Sequence, residues 1–246
     1  MARIRNPAKI ASMTANGTAG SGRTLVVGDV HGCAEELDDL LRESGFDAGD
    51  GDRLVFVGDL VAKGPDSLGV VRRARELNAR AVRGNHDQHC LRWWEAKLAG
   101  EPLPELRPTH AAVAEVFEDD DWRWLAAHPL WLELPEHDAL VVHAGLLHDL
   151  PLEDQDPYDL MNMRSILADG TGSRDYDEGA PWAERWPGPR LVIFGHDAIR
   201  GLQRFEHAVG LDTGCVYGGW LTGFWLPERD LVAVPAREAW TQPGKD

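Results

Sequence analysis

The sequence predicts an α/β fold built around a parallel sheet. From Thr24 onward, short apolar runs alternate with stretches of helical period, the order of βαβ units with right-handed crossovers. The first runs, Leu25-Val26-Val27, Leu54-Val55-Phe56-Val57 and Ala81-Val82, are continuously apolar, as strands covered on both faces are. The 246 residues are 43% hydrophobic and 27% charged, which suits a soluble domain with a full core.

Thr24–Val27 reads as the first strand. It leads through Gly28-Asp29-Val30-His31-Gly32 into a helix over about Ala34–Ser44. Leu37, Leu40 and Leu41 form its apolar stripe and Gly45 its C-cap. A turn at Asp50-Gly51 leads to strand Arg53–Val57. The next helix is expected over about Pro65–Leu77, with Pro65 at its first position. Strand Arg80–Arg83 and helix Asp87–Leu98 follow. The segment 99–130 breaks the alternation with Pro102, Pro104 and Pro108, a helical stretch Thr109–Phe117, the acidic run Glu118–Asp121 and a short helix to Ala127. It reads as a helical insertion or cap.

Strands resume at Trp131–Leu134, Ala139–Val142 and Leu191–Phe194. Between the last two, Asp149–Pro189 is polar and rich in Pro and Gly, a loop long enough to be functional or mobile. Ala208–Leu211 and Leu221–Pro235 are expected to be antiparallel strands closing a second sheet. Residues 1–22 carry Arg3, Arg5 and Lys9, no acid, and no apolar core of a secretory signal. They read as a disordered tail, leaving 23–246 as one catalytic domain.

The net charge of −16 disfavours duplex DNA as a partner, and no apolar run approaches the ~20 residues that cross a bilayer. An anionic substrate would need local positive charge, which bound metal ions supply. Three cysteines, Cys33, Cys90 and Cys215, make no disulfide framework and point to a reducing, cytoplasmic setting.

Five short segments carry the chemistry. Gly28–Gly32, Gly58-Asp59-Leu60, Gly84-Asn85-His86-Asp87, His143-Ala144-Gly145 and Gly195-His196-Asp197 each follow an apolar strand. That places them at the carboxyl edge of the sheet, where open α/β folds bind ligands. Asp29, His31, Asp59, Asn85, His143 and His196 are hard oxygen and nitrogen donors suited to two divalent cations. Two such ions ~3.5–4 Å apart activate a water and bind a phosphoryl oxygen. His86 reads better as a general acid than as a ligand. Lys63, Arg83, Arg164 and Tyr217 are candidates to hold phosphates. His89, His110, His128, His137, His148 and His207 lack this context and read as surface or structural residues. The ten tryptophans read mainly as packing, with base stacking open for one from the insertion or the long loop.

In these five motifs, and in Gly58–Pro65 as a whole, the chain resembles the calcineurin-like metallophosphoesterases over about Thr24–Pro235. Asn162–Ser165, Phe194–Gln203 and Leu211–Thr222 resemble the ApaH-like group, the symmetrical bis(5′-nucleosyl)-tetraphosphatases. The resemblance implies a four-layer αββα sandwich and a dinuclear site commonly holding Mn²⁺ or related ions (Co²⁺, Fe, Zn²⁺ or Mg²⁺). By position, one metal takes Asp29, His31 and Asp59, the other Asp59, Asn85, His143 and His196. The implied activity is hydrolysis of diadenosine tetraphosphate, a small dinucleoside polyphosphate, to two ADP. The alternatives are a protein serine/threonine or tyrosine phosphatase, and removal of dinucleoside-polyphosphate caps from RNA 5′ ends. Ala62 stands where the protein phosphatases carry an Asp that pairs with the catalytic His. Its absence favours a phosphoanhydride, whose leaving group needs less protonation than an alkoxide.

Overall fold

The computed structural model describes residues 22–243, so the expected tail lies almost wholly outside the described residues. The chain runs β1 (Thr24–Val27), α1 (Ala34–Ser44), β2 (Arg53–Phe56), α2 (Ser67–Glu76), β3 (Arg80–Ala81), α3 (Asn85–Ala99), α4 (Pro108–Val116) and α5 (Asp119–Ala126). It continues with β4 (Trp131–Leu134), β5 (Ala139–Val142), α6 (Pro157–Asn162), β6 (Ser165–Ile166), β7 (Gly172–Ser173) and β8 (Ala180–Pro181). The last strands are β9 (Leu191–Phe194), β10 (Gln203–Arg204), β11 (Ala208–Gly210), β12 (Trp220–Leu226) and β13 (Asp230–Pro235).

Two five-stranded sheets pack face to face. The first has the order β13-β12-β1-β2-β3 and the second β10-β11-β9-β5-β4. Strand periodicity divides the apolar residues between layers. Leu25 and Val27 pack outward against Leu37, Leu40, Val70 and Val71 of α1 and α2. Val26 and Val55 pack inward against Val141, Ile193 and Val209 of the second sheet. The outer face of that sheet, Leu140, Val142, Val192 and Phe194, is covered by Leu160, Met163 and Trp182. The result is the expected α/β sandwich of four layers.

The structure corrects three expectations. The C-terminal strands divide between the sheets: β11 pairs parallel with β9, whereas β12 runs antiparallel to β1, Thr24 opposite Leu226. An apolar pattern shows that a strand is buried, not which neighbour it finds. The second helix begins at Ser67, because the Asp66 carboxylate caps it by accepting the Gly69 N–H at 2.7 Å; Pro65 precedes the cap. The Asp149–Pro189 segment is no open loop: it forms α6 and a small sheet of order β7-β6-β8 that supplies the fourth layer. Its core residues, Leu160, Met163 and Trp182, fall at no regular period. Asp119–Asp121 form the first turn of α5, where the helix dipole favours carboxylates.

The insertion is continuous with the first core. Val113, Phe117, Trp122 and Leu125 join the cluster that contains α2. Trp122 lies nearly parallel to Trp94, 8° between planes, and edge-on to Phe117, so these indoles bind α5 to α3.

Candidate metal centre and catalytic cleft

The segments after β1, β2, β3, β5 and β9 meet at one end of the sandwich. Their backbone is tightly bent. Five of the eight non-glycine residues with positive φ among those described are His31, Asp59, Ala62, Lys63 and His196. Such conformations are uncommon and persist where the surroundings impose them. Gly84 is required by close approach: a Cβ there would collide with the backbone N and carboxylate of Asp59.

Asp59 is the shared element. Its Oδ2 lies 3.4 Å from His31 Nε2 and 3.5 Å from His143 Nε2. The ligand atoms of His31, Asp59 and His86 all lie within 4.8 Å of one another, as do those of Asp59, His143 and His196. Asn85 Oδ1 is 3.0 Å from His143 Nε2. Asp29 accepts the His196 backbone N–H at 3.1 and 3.2 Å on its two oxygens.

Backbone carbonyls set the imidazole tautomers. A carbonyl only accepts, so the ring nitrogen beside it carries the proton. His143 Nδ1 donates to Val57 O at 2.8 Å and His31 Nδ1 to Val61 O at 3.2 Å. Both therefore present the Nε2 lone pair towards Asp59. His196 is reversed: its Nε2 donates to Asn162 O at 3.0 Å, which leaves Nδ1 for the site.

Asp29, Asp59 and Asp212 are all buried here. Burial, then the charges of Asp212 and Asp59, pushes Asp29 well above the usual carboxylate range. Burial raises Asp59 to about 6 against the opposing charge of Lys63, and raises Asp212 to about 6. Burial lowers His143 to about 4 and puts His31 and His196 well below the usual imidazole range. Crowded buried carboxylates beside neutral imidazoles are what divalent cations relieve. The donor set fits two such ions.

Asp87 was legible only as the end of a motif. Its buried carboxylate accepts four backbone N–H groups: Asp59 at 2.9 Å, Leu60 at 3.0 Å, Val61 at 3.3 Å and Gly84 at 3.0 Å. It ties the second motif to the third and holds Asp59 in place.

A cleft of about 650 Å³ opens beside these residues, lined in part by Asn85, His86 and His196. Five cationic side chains line it, Lys63, Arg92, Arg107, Arg164 and Arg174, against one acid, Asp156. Lys63 Nζ donates to Tyr217 OH at 2.8 Å and to His31 Nε2 at 3.2 Å. Arg164 donates to the backbone carbonyls of Arg174 and His196 while facing the cleft. Arg83 corrects the expectation of phosphate contact. It is not among the cleft-lining residues, and its guanidinium donates to Gln88 Oε1 and Ala126 O, joining α3 to α5. No tryptophan lines the cleft; its aromatic residues besides the histidines are Tyr158 and Tyr217.

His110 also departs from expectation. It is 1% exposed and its Nε2 lies 3.0 Å from His86 Nδ1. Spacing could not reveal this, because α4 reaches α3 only through folding.

The fold and the site define a metal-dependent phosphohydrolase. Residues 22–200 match the family model for calcineurin-like phosphoesterase, and the chain belongs to that family. It is 31% identical to a protein of Halalkalibacterium halodurans named bis(5′-nucleosyl)-tetraphosphatase PrpE, asymmetrical, over 87% of this chain and 94% of that one. A Bacillus subtilis protein of the same name is 30% identical over 86% and 93%. Among solved structures, a chain provisionally named a diadenosine tetraphosphatase is 41% identical, with a TM-score of 0.79 over 88% of this chain and 94% of that one. A serine/threonine phosphatase of Saccharomyces cerevisiae, 17% identical with a TM-score of 0.59 over 91% and 82%, shares the fold.

Proposed function

We propose that this chain hydrolyses diadenosine tetraphosphate asymmetrically, breaking an outer anhydride to give ATP and AMP. The observation that carries the reading is electrostatic. A chain of net charge −16 concentrates five cations around a single cleft, next to a cluster of metal-type ligands. A polyphosphate chain is the ligand such a lining suits. The names of the relatives turn the expected symmetrical cleavage to asymmetrical. None of them points to capped RNA, and the likeness to protein phosphatases extends to the fold alone.

In this reading Asp29, His31 and Asp59 hold one divalent ion, and Asp59, Asn85, His143 and His196 the other, with Mn²⁺ the first candidate. When bound, the ions supply Lewis-acid charge to the phosphoryl group and an activated water. Lys63 and Arg164 offset charge on the reacting phosphate. Arg92, Arg107 and Arg174 hold the remaining phosphates, and Tyr217 donates a hydroxyl. Tyr158 offers a stacking face for a base. His86 protonates the departing phosphate oxygen. Burial, then the charge of Lys63, sets this imidazole well below its usual range in the free cleft. An incoming polyanion offsets Lys63 and favours the protonated ring.

Chromatography of the products from Mn²⁺-loaded protein and diadenosine tetraphosphate tests the reading. ATP and AMP in equal amounts support it. ADP alone, or no turnover beside release of phosphate from phosphopeptides, overturns it.

A further inference from the structure

His86 does not stand alone in the cleft. Its Nδ1 lies 3.0 Å from Nε2 of His110, with 12° between the ring planes and 5.1 Å between the ring centroids. Near-parallel rings that far apart, joined by so short an N···N contact, lie edge to edge in one plane. That is the geometry of an in-plane N–H···N hydrogen bond. His31 stands at 88° to the His86 ring, centroids 5.0 Å apart. His89 stands edge-on to His110 at 4.6 Å. The His86 ring therefore packs against two other imidazoles.

His110 comes from the helical insertion. It sits in the first turn of α4, behind Pro108 at the helix start, and His86 sits in the first turn of α3. His110 is 1% exposed, and its Nδ1 is buried without a hydrogen-bond partner. An imidazole buried with half of its polar capacity unused loses solvation. Its one polar contact is His86, so a role through His86 accounts for the site.

We infer that His110 is a positioning residue for the general acid. It accepts the Nδ1–H of His86 and fixes the ring plane, so that the imidazolium form of His86 aims its second proton, on Nε2, into the cleft. The helical insertion is then part of the catalytic apparatus as well as its wall. This rests on the reading of His86 as the acid. His110 lines the inner part of the cleft but makes no hydrogen bond to the metal ligands named above; its one side-chain hydrogen bond is to His86, and it acts through that residue.

Three variants, His86→Ala, His110→Phe and His110→Gln, and the double variant of the first two test this on metal-loaded protein. Phe fills the imidazole space without a polar atom, and the Gln amide can place an acceptor where Nε2 lies. His86→Ala lowers kcat by about 100-fold, on the scale of general acid catalysis. His110→Phe lowers kcat about 10- to 100-fold, as misalignment does, with metal content and KM near those of the wild type. His110→Gln recovers most of that loss. The double variant is as slow as His86→Ala and no slower, because His110 has nothing left to position.

Wild-type kcat in His110→Phe, losses that multiply in the double variant, or no recovery in His110→Gln overturns the inference. Loss of metal in His110→Phe also overturns it, by making the residue a support of the metal loops. Full activity in His86→Ala refutes the acid reading itself, which distinguishes that failure from one confined to His110.

Discussion

Replacing Asp87 by Asn removes a charge and one acceptor while keeping the shape. The carboxylate receives Asp59 and Gly84 N–H on Oδ2, and Leu60 and Val61 N–H on Oδ1. An amide keeps one oxygen, so two of these four donors lose their partner and face an NH₂ group. Each buried donor left unmet costs about 1–3 kcal/mol, about 2–6 kcal/mol for the pair. An opposing term comes from the charge. Burial, then the charge of Asp59, raises Asp87 to about 6 from 3.8. At pH 7 that shift of roughly two pH units makes the ionised group about 3 kcal/mol more costly in the fold, and Asn is free of this cost. The terms largely cancel, and stability falls by no more than about 3 kcal/mol. Position does not cancel. Asp59 N–H loses its anchor in one of the two amide orientations, and in the other Leu60 and Val61 do. Metal affinity therefore falls about 10- to 100-fold, as when the support of a ligand is lost. Competition for Mn²⁺ against a fluorescent chelator measures the affinity, and guanidinium denaturation of the metal-free protein measures the stability. An affinity within about threefold of the wild type would refute the reasoning.

Other perturbations act on the same centre. Stripping metal with a chelator lowers Tm by about 5–10 °C for each site held at 100 times its Kd, since that occupancy contributes about 2.7 kcal/mol; calorimetry reads the change. Metal affinity also falls as pH drops from 7 to 5. Asp59 and Asp212 take up protons on passing down through about 6 and protons compete with the ions, so titrations at the two pH values check the sign. Asp59→Asn loses both ions, because both ligand groups include this residue; elemental analysis showing one ion retained at full occupancy contradicts the shared role. Gly84→Ala drives a methyl group into Asp59 and abolishes metal uptake in a chain that still folds, as circular dichroism will show.

The candidate metal ligands were legible in the sequence because each sits on a turn beside glycine directly after an apolar strand. Asp29, Asp59, His143 and His196 needed only the topology of a parallel sheet to converge. Asp87 was visible as a letter of its motif, yet its role depends on backbone N–H groups 26 to 28 residues away, which no local pattern encodes. The place of His110 is hidden for the same reason: it belongs to an inserted helix whose docking on α3 is set by Trp122, Phe117 and Val113. Arg83 shows the converse. Its place beside a motif suggested phosphate contact, but the short β3 turns its guanidinium towards the Ala126 carbonyl. Of the C-terminal strands, β11 joins the second sheet as expected, whereas β12 and β13 join the first, because an apolar run carries no label for its neighbour.

Anomalous scattering from Mn²⁺-soaked crystals tests the central claim most directly. The account predicts two peaks ~4 Å apart on either side of the Asp59 carboxylate, one near Asp29 and His31, the other near Asn85, His143 and His196. A single peak, or peaks that do not share Asp59, would contradict it.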